Sequence, residues 1–81
     1  MPHYYFDTRD DDQFIRDNEG LELRDVKAAE QVAARSLAEL AAEVLPGASS
    51  RRLGVDVRDD QHRDVLTTEL TYNAVQHSVA S

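Results

Sequence analysis

Eighty-one residues leave room for one domain with a thin core, because only two Phe and three Tyr are present, Trp is absent, and much of the apolar content is Ala. Sixteen acidic against nine basic residues give a formal charge of −7, which disfavours direct binding to nucleic acid or to an anionic membrane surface. The absence of Cys excludes disulfides, thiolate chemistry and Cys-based metal sites and suits a reducing compartment, so a cytoplasmic chain is expected.

The opening Met1-Pro2-His3-Tyr4-Tyr5-Phe6 lacks a basic segment followed by an apolar run, so no signal peptide is expected, and no window reaches membrane-span length. His3 to Arg9 reads as a strand, with Tyr4, Phe6 and Thr8 on one face and His3, Tyr5, Asp7 and Arg9 on the other. Asp10-Asp11-Asp12 is tolerable only at a solvated tip, and Gln13 to Asp17 returns as a second strand to complete a hairpin. Asn18-Glu19-Gly20 signals a turn. From Asp25 to Leu45, Val26, Ala29, Ala33, Leu37, Leu40 and Val44 recur at spacings of three and four, the mark of an amphipathic helix. Asp25 is its N-cap, with Ala28 leaving the capping box unfinished, and Pro46-Gly47 stops it. Leu53, Val55 and Val57 then alternate with Gly54, Asp56 and Arg58 as a half-buried strand. A polar connection over 59–63 leads to a last strand over 64–72, in which Leu66, Thr68 and Leu70 share a face.

The order is ββαββ, and the helix has only the sheet's apolar face to bury against. The fold class is therefore α+β, a two-layer sandwich of one long amphipathic helix on a four-stranded antiparallel sheet. The domain covers residues 1–72, followed by a polar tail over 73–81 that makes at most a short helical turn. The second sheet face is left open to water or to a partner, and Tyr5 is its candidate anchor.

Three stretches carry a family resemblance: Pro2-His3-Tyr4-Tyr5-Phe6, then Asp17-Asn18-Glu19-Gly20-Leu21-Glu22-Leu23-Arg24-Asp25, then Val55-Asp56-Val57-Arg58-Asp59-Asp60. Together they resemble a family of short, uncharacterised, mostly alphaproteobacterial proteins that open with a Pro-x-Tyr-Phe-Phe strand and carry Asp-x-Glu-Gly-x-Glu-Leu-x-Asp before an Ala-rich helix. The resemblance implies a compact ββαββ domain in the bacterial cytoplasm and brings no catalytic residue with it. The chain departs from the family pattern at Asp7 and Thr8, where His and Val are usual. It departs again at Gln61-His62, where the second hairpin lacks the usual Gly, so that turn is expected to be longer or differently shaped.

The acidic stretch is the one candidate site. Asp7, Asp10, Asp11, Asp12, Asp17, Glu19, Glu22 and Asp25 are interrupted only by Arg9, Arg16 and Arg24. Neither Asp10 nor Asp17 begins an EF-hand spacing, so no calcium site is expected, and no cofactor. Asp10, Asp11, Asp12, Asp17, Glu19 and Glu22 form a candidate partner-binding rim; the alternatives are a solvated hairpin rim or a nucleic-acid mimic that docks a basic protein. Arg51, Arg52, Arg58 and Arg63 are the basic counterweight, able to pair with the acidic half within one molecule or between two. His3, His62 and His77 are not brought together by sequence, Ser49-Ser50 lacks a nucleophile context, and Gly20, Gly47 and Gly54 stand too far apart for a phosphate loop. The expected function is therefore a non-catalytic interaction or accessory module, a possible homodimer through a sheet edge or the open face.

Overall fold

A computed structural model of the chain describes residues 1–79. Its elements run β1 (His3–Asp10), β2 (Gln13–Ile15), β3 (Leu21–Glu22), α1 (Val26–Val44), β4 (Ser50–Arg58) and β5 (Asp64–Asn73). All strand pairs are antiparallel, in the order β2-β1-β4-β5 with β3 also paired to β1. The class is α+β as expected, but the sheet has five strands and not four.

The added strand is β3, and a glycine admits it. Gly20 takes φ +68, and a Cβ there would meet the Tyr4 carbonyl oxygen and the His3 ring at 2.6 Å. Only a residue without a side chain lets the backbone return so close to β1. Leu21 then pairs with Tyr4 and Glu22 with His3, and Leu23 N–H donates to the Pro2 carbonyl at 3.0 Å.

In β1 and β4 the alternation of faces is the expected one. Register sets Phe6 opposite Val57, Thr8 opposite Val55 and Asp10 opposite Leu53 on the helix side, with Tyr5, Asp7 and Arg9 opposite Arg58, Asp56 and Gly54 on the other. Leu53, Val55 and Val57 are the largest fully buried side chains, and they pack with Tyr4, Ala29, Ala33, Leu37 and Ala41. Ala29 and Ala33 have no exposed surface, so the helix backbone sits close on the sheet. Asp25 caps the helix, its Oδ1 accepting from Ala28 N–H at 2.9 Å. At the other end Leu45 N–H closes on Ala41 at 2.9 Å and Gly47 turns the chain at φ 90.

β4 begins at Ser50, three residues before the expected Leu53, because its first residues pair with the end of β5. The turn without Gly is resolved by two devices. His62 takes φ 63, the conformation a Gly would supply, and the Asp59 carboxylate accepts from Gln61 N–H at 2.9 Å, Arg63 N–H at 3.0 Å and Arg63 Nε at 2.9 Å. Those backbone bonds and the Arg63 charge, against burial, hold the Asp59 carboxyl below its usual pKa. Residues 74–79 form neither helix nor strand; the last two residues of the expected tail, 80 and 81, lie outside the described residues.

Candidate functional site

The open sheet face carries charge from end to end, arranged as cross-strand pairs. At its centre Arg58 reaches from β4 to Asp7 on β1: Nε donates to Oδ2 at 2.6 Å and Nη2 to Oδ1 at 3.1 Å. Both side chains are buried, at 7% and 4% exposure. Arg58 Nη2 also donates to the Asp17 carbonyl at 3.0 Å, and Nη1 to His62 Nδ1 at 2.9 Å. A guanidinium can only donate, so His62 Nδ1 is the acceptor in this contact. Burial pushes the Asp7 carboxyl up, but the Arg58 hydrogen bonds, the Asp17 N–H and the Arg58 charge outweigh it and hold the carboxyl below its usual value.

Asp17 is the second buried junction. Its Oδ2 accepts from Phe6 N–H at 3.0 Å, its Oδ1 from Glu19 and Gly20 N–H at 3.0 and 3.1 Å, and its own N–H donates to Asp7 Oδ1 at 3.0 Å. The carboxylate bridges the gap between β2 and β3 along β1. Burial raises its pKa, and the three backbone N–H groups more than reverse that. No buried side-chain nitrogen or oxygen among the described residues lacks a partner. The buried members of this network, Asp7, Asp17 and Arg58, are satisfied within the protein.

The remaining pairs extend outward. Arg9 binds Asp56 at 2.8 and 3.2 Å and the Thr68 carbonyl at 3.1 Å, lying across Gly54, where a Cβ would fall on its guanidinium. On the other, helix-side face, Arg51 binds Asp10 at 2.7 and 3.0 Å and Asp11 at 3.3 Å, beside an open groove of about 430 Å³ lined by Asp11, Ser50, Arg51, Arg52, Thr71 and Asn73. The expected pairing of the basic second half with the acidic first half is thus present within one molecule.

The six residues of the candidate rim are not brought together. Asp10 and Asp11 are taken by Arg51, and Asp17 turns inward. Asp12 lies at the β1–β2 turn, whereas Glu22 pairs with His3 at the opposite end of β1, with Glu19 close by. At roughly 3.3 Å per residue, the eight residues of β1 put those ends about 23 Å apart. Tyr5 is half-buried, with its ring 5.0 Å from that of His3, 6.2 Å from that of His62 and 4.9 Å from the Arg58 guanidinium carbon. Two of the three histidines therefore flank one tyrosine, a grouping no spacing in the sequence signals, while His77 lies in the exposed tail.

A feature that sequence reasoning missed is an apolar edge. Helix α1 packs chiefly on β4 and β5, with Tyr4 and Phe6 of β1 in or against the same core, and the outer edge of that face beyond β1 is left exposed. There Ile15 is 62% exposed and Leu21 48%, opposite Thr8 and Tyr4; Phe14, opposite Arg9 on the other face, is 57% exposed. Every residue of β2 is exposed. The signal in the sequence is the adjacency of Phe14 and Ile15: neighbours in a strand point to opposite faces, so at least one had to miss the core.

A family model matches residues 3–71, from the first residue of β1 to within two residues of the end of β5, and describes a domain of unknown function, DUF6894. The chain belongs to this family. No curated protein and no solved structure matches it. The DUF6894 span takes in the Asp7–Arg58 pair, Asp17 and the β2 edge alike. Among the described residues no helix is long and apolar enough to cross a membrane, and no group of three or more His, Cys, Asp or Glu side chains is placed to hold a metal ion.

Proposed function

We propose that this DUF6894 chain is a small, non-catalytic protein-interaction module that self-associates through the β2 side of its sheet. The observation that carries this reading is the wholly exposed strand β2 with Phe14 and Ile15 on it, next to Leu21 on the exposed outer edge. A fully buried side chain of this kind is worth roughly 1.5–3 kcal/mol, so three half-exposed ones contribute about 3–5 kcal/mol per copy. A two-fold contact doubles that figure and sets it against an association cost of about 4–15 kcal/mol, which predicts weak, concentration-dependent assembly. The absence of catalysis is supported by the saturation of Asp7 and Arg58 by each other and of the Asp17 carboxylate by three backbone N–H groups. The lack of Cys and the resemblance of the opening strand and the acidic stretch suit a bacterial cytoplasmic protein. The runner-up, an acidic mimic docking a basic partner, is less favoured because its carboxylates occupy separate places.

Sedimentation velocity from micromolar to millimolar protein tests the reading. The average mass of the wild type is expected to rise with concentration, and that of a Phe14→Ser, Ile15→Ser double variant with an unchanged circular dichroism spectrum to stay at the monomer. A double variant that assembles as the wild type does refutes the role of the β2 edge.

A further inference from the structure

The edge strand also specifies its own partner, and the inference rests on the reading just given. We propose that β2 pairs antiparallel with β2 of a second copy, in a register centred on Phe14 that sets Asp12 of each copy opposite Arg16 of the other. β2 ends the sheet, with β1 on its inner side. The β1–β2 hairpin turns through Asp11 and Asp12 and closes on the Asp10–Gln13 pair. In a two-residue hairpin the closing pair exchanges hydrogen bonds and the pattern alternates from there. Gln13 and Ile15 therefore direct their backbone groups to β1, and Phe14 directs its N–H and C=O outward. A two-fold axis through Phe14 lets these outward groups bond to those of the same residue in the other copy.

The charges select this register. Asp12 precedes β2 at the hairpin turn and Arg16 follows its end, each two residues from Phe14, so a two-fold axis through Phe14 brings the acid of each copy toward the base of the other. Both charged residues are exposed and form no ion pair or side-chain hydrogen bond among the described residues, although Asp10 and Asp11 beside them do. An axis through Ile15 would set Phe14 opposite Arg16 and Gln13 opposite Asp17, leaving Asp12 without a partner. Charges on an edge strand ordinarily oppose pairing; in the register centred on Phe14 they face one another with opposite sign. The axis stands perpendicular to the sheet, so both helices lie on the same side of a shared sheet and the two copies of Ile15 and Leu21 line the gap between them.

The test uses charge reversal in the full chain. Asp12→Arg sets two arginines against two arginines across the axis, and Arg16→Asp sets acids against acids, so each variant alone is expected to dimerise roughly ten- to a hundredfold more weakly than the wild type. Mixed in equal amounts, the two variants are expected to regain wild-type association as a mixed dimer, because every facing pair is then opposite in sign. Sedimentation velocity reads both results, with circular dichroism confirming the fold of each variant. Variants that dimerise as tightly as the wild type, or a mixture no tighter than its components, overturn this register. If the Phe14→Ser, Ile15→Ser variant is nonetheless monomeric, self-association through β2 stands and only the register falls. A wild type that is monomeric at every concentration overturns both.

Discussion

Arg58 holds together more of this molecule than any other side chain, since one guanidinium ties β4 to Asp7 on β1, to the Asp17 carbonyl after β2 and to the His62 ring in the last turn. Removing one partner of a buried ion pair strands the other charge and typically costs about 3–5 kcal/mol. That is a large share of the roughly 5–15 kcal/mol that stabilises a typical domain. Asp7→Ala and Arg58→Ala are each expected to lower the unfolding free energy by about this amount in urea titrations, and the double variant to lose less than the sum. Arg58→Lys is expected to recover little of the loss, because an ammonium cannot serve Asp7 bidentately while reaching Asp17 and His62. A loss below about 1 kcal/mol for Arg58→Ala would mean that the pair is no more than a surface contact. In the sequence Arg58 reads as a solvent-facing residue of an alternating strand, and the alternation is correct. What the pattern could not carry is the acid two residues along the neighbouring strand, which depends on the register between β1 and β4.

At the scale of elements, legibility follows the length of the periodic signal. Helix α1 was readable nearly to the residue because it combines a long stripe, an N-cap acid and a Pro-Gly stop, and β1, β4 and β5 because alternation runs through them. β3 was not readable, since two residues hold no period and only the return of the chain at Gly20 makes them a strand. The acidic rim failed for a related reason: closeness in sequence was read as closeness in space, whereas β1 carries its two halves to opposite ends. The cap is the local signal most open to measurement. Asp25→Ala removes the acceptor of the Ala28 N–H and is expected to cost about 0.5–2 kcal/mol by urea titration, with Asp25→Ser near neutral. An unchanged midpoint for Asp25→Ala would mean that packing of Ala29 and Ala33 on the sheet fixes the helix start without help from the cap.

For the whole molecule, the buried carboxylates set the response to acid. Asp7 and Asp17 both have folded pKa values below the usual carboxylate value, so the unfolded chain binds more protons than the folded one when pH falls into that range. Their contribution is complete above the unfolded value of about 4 and is lost as pH falls through the lower folded values. The urea midpoint is therefore expected to hold from neutral pH to about 5 and to drop below about 4, as Arg58 loses its counter-charge and the bridge between β2 and β3 loses its acceptor. Acidification discharges a chain of net charge −7 only down to its pI of about 4.7; below that the net charge turns positive and its repulsion adds to the loss, so two effects act together. Asp17→Asn separates them. It leaves the overall charge nearly as it was, but replaces an acceptor of three backbone N–H groups with an amide whose own N–H must face one of them. That variant is expected to be less stable at neutral pH and to lose less on acidification than the wild type. An acid loss as steep as that of the wild type would assign the transition to the other carboxylates of the open face and leave Asp17 as a turn residue alone.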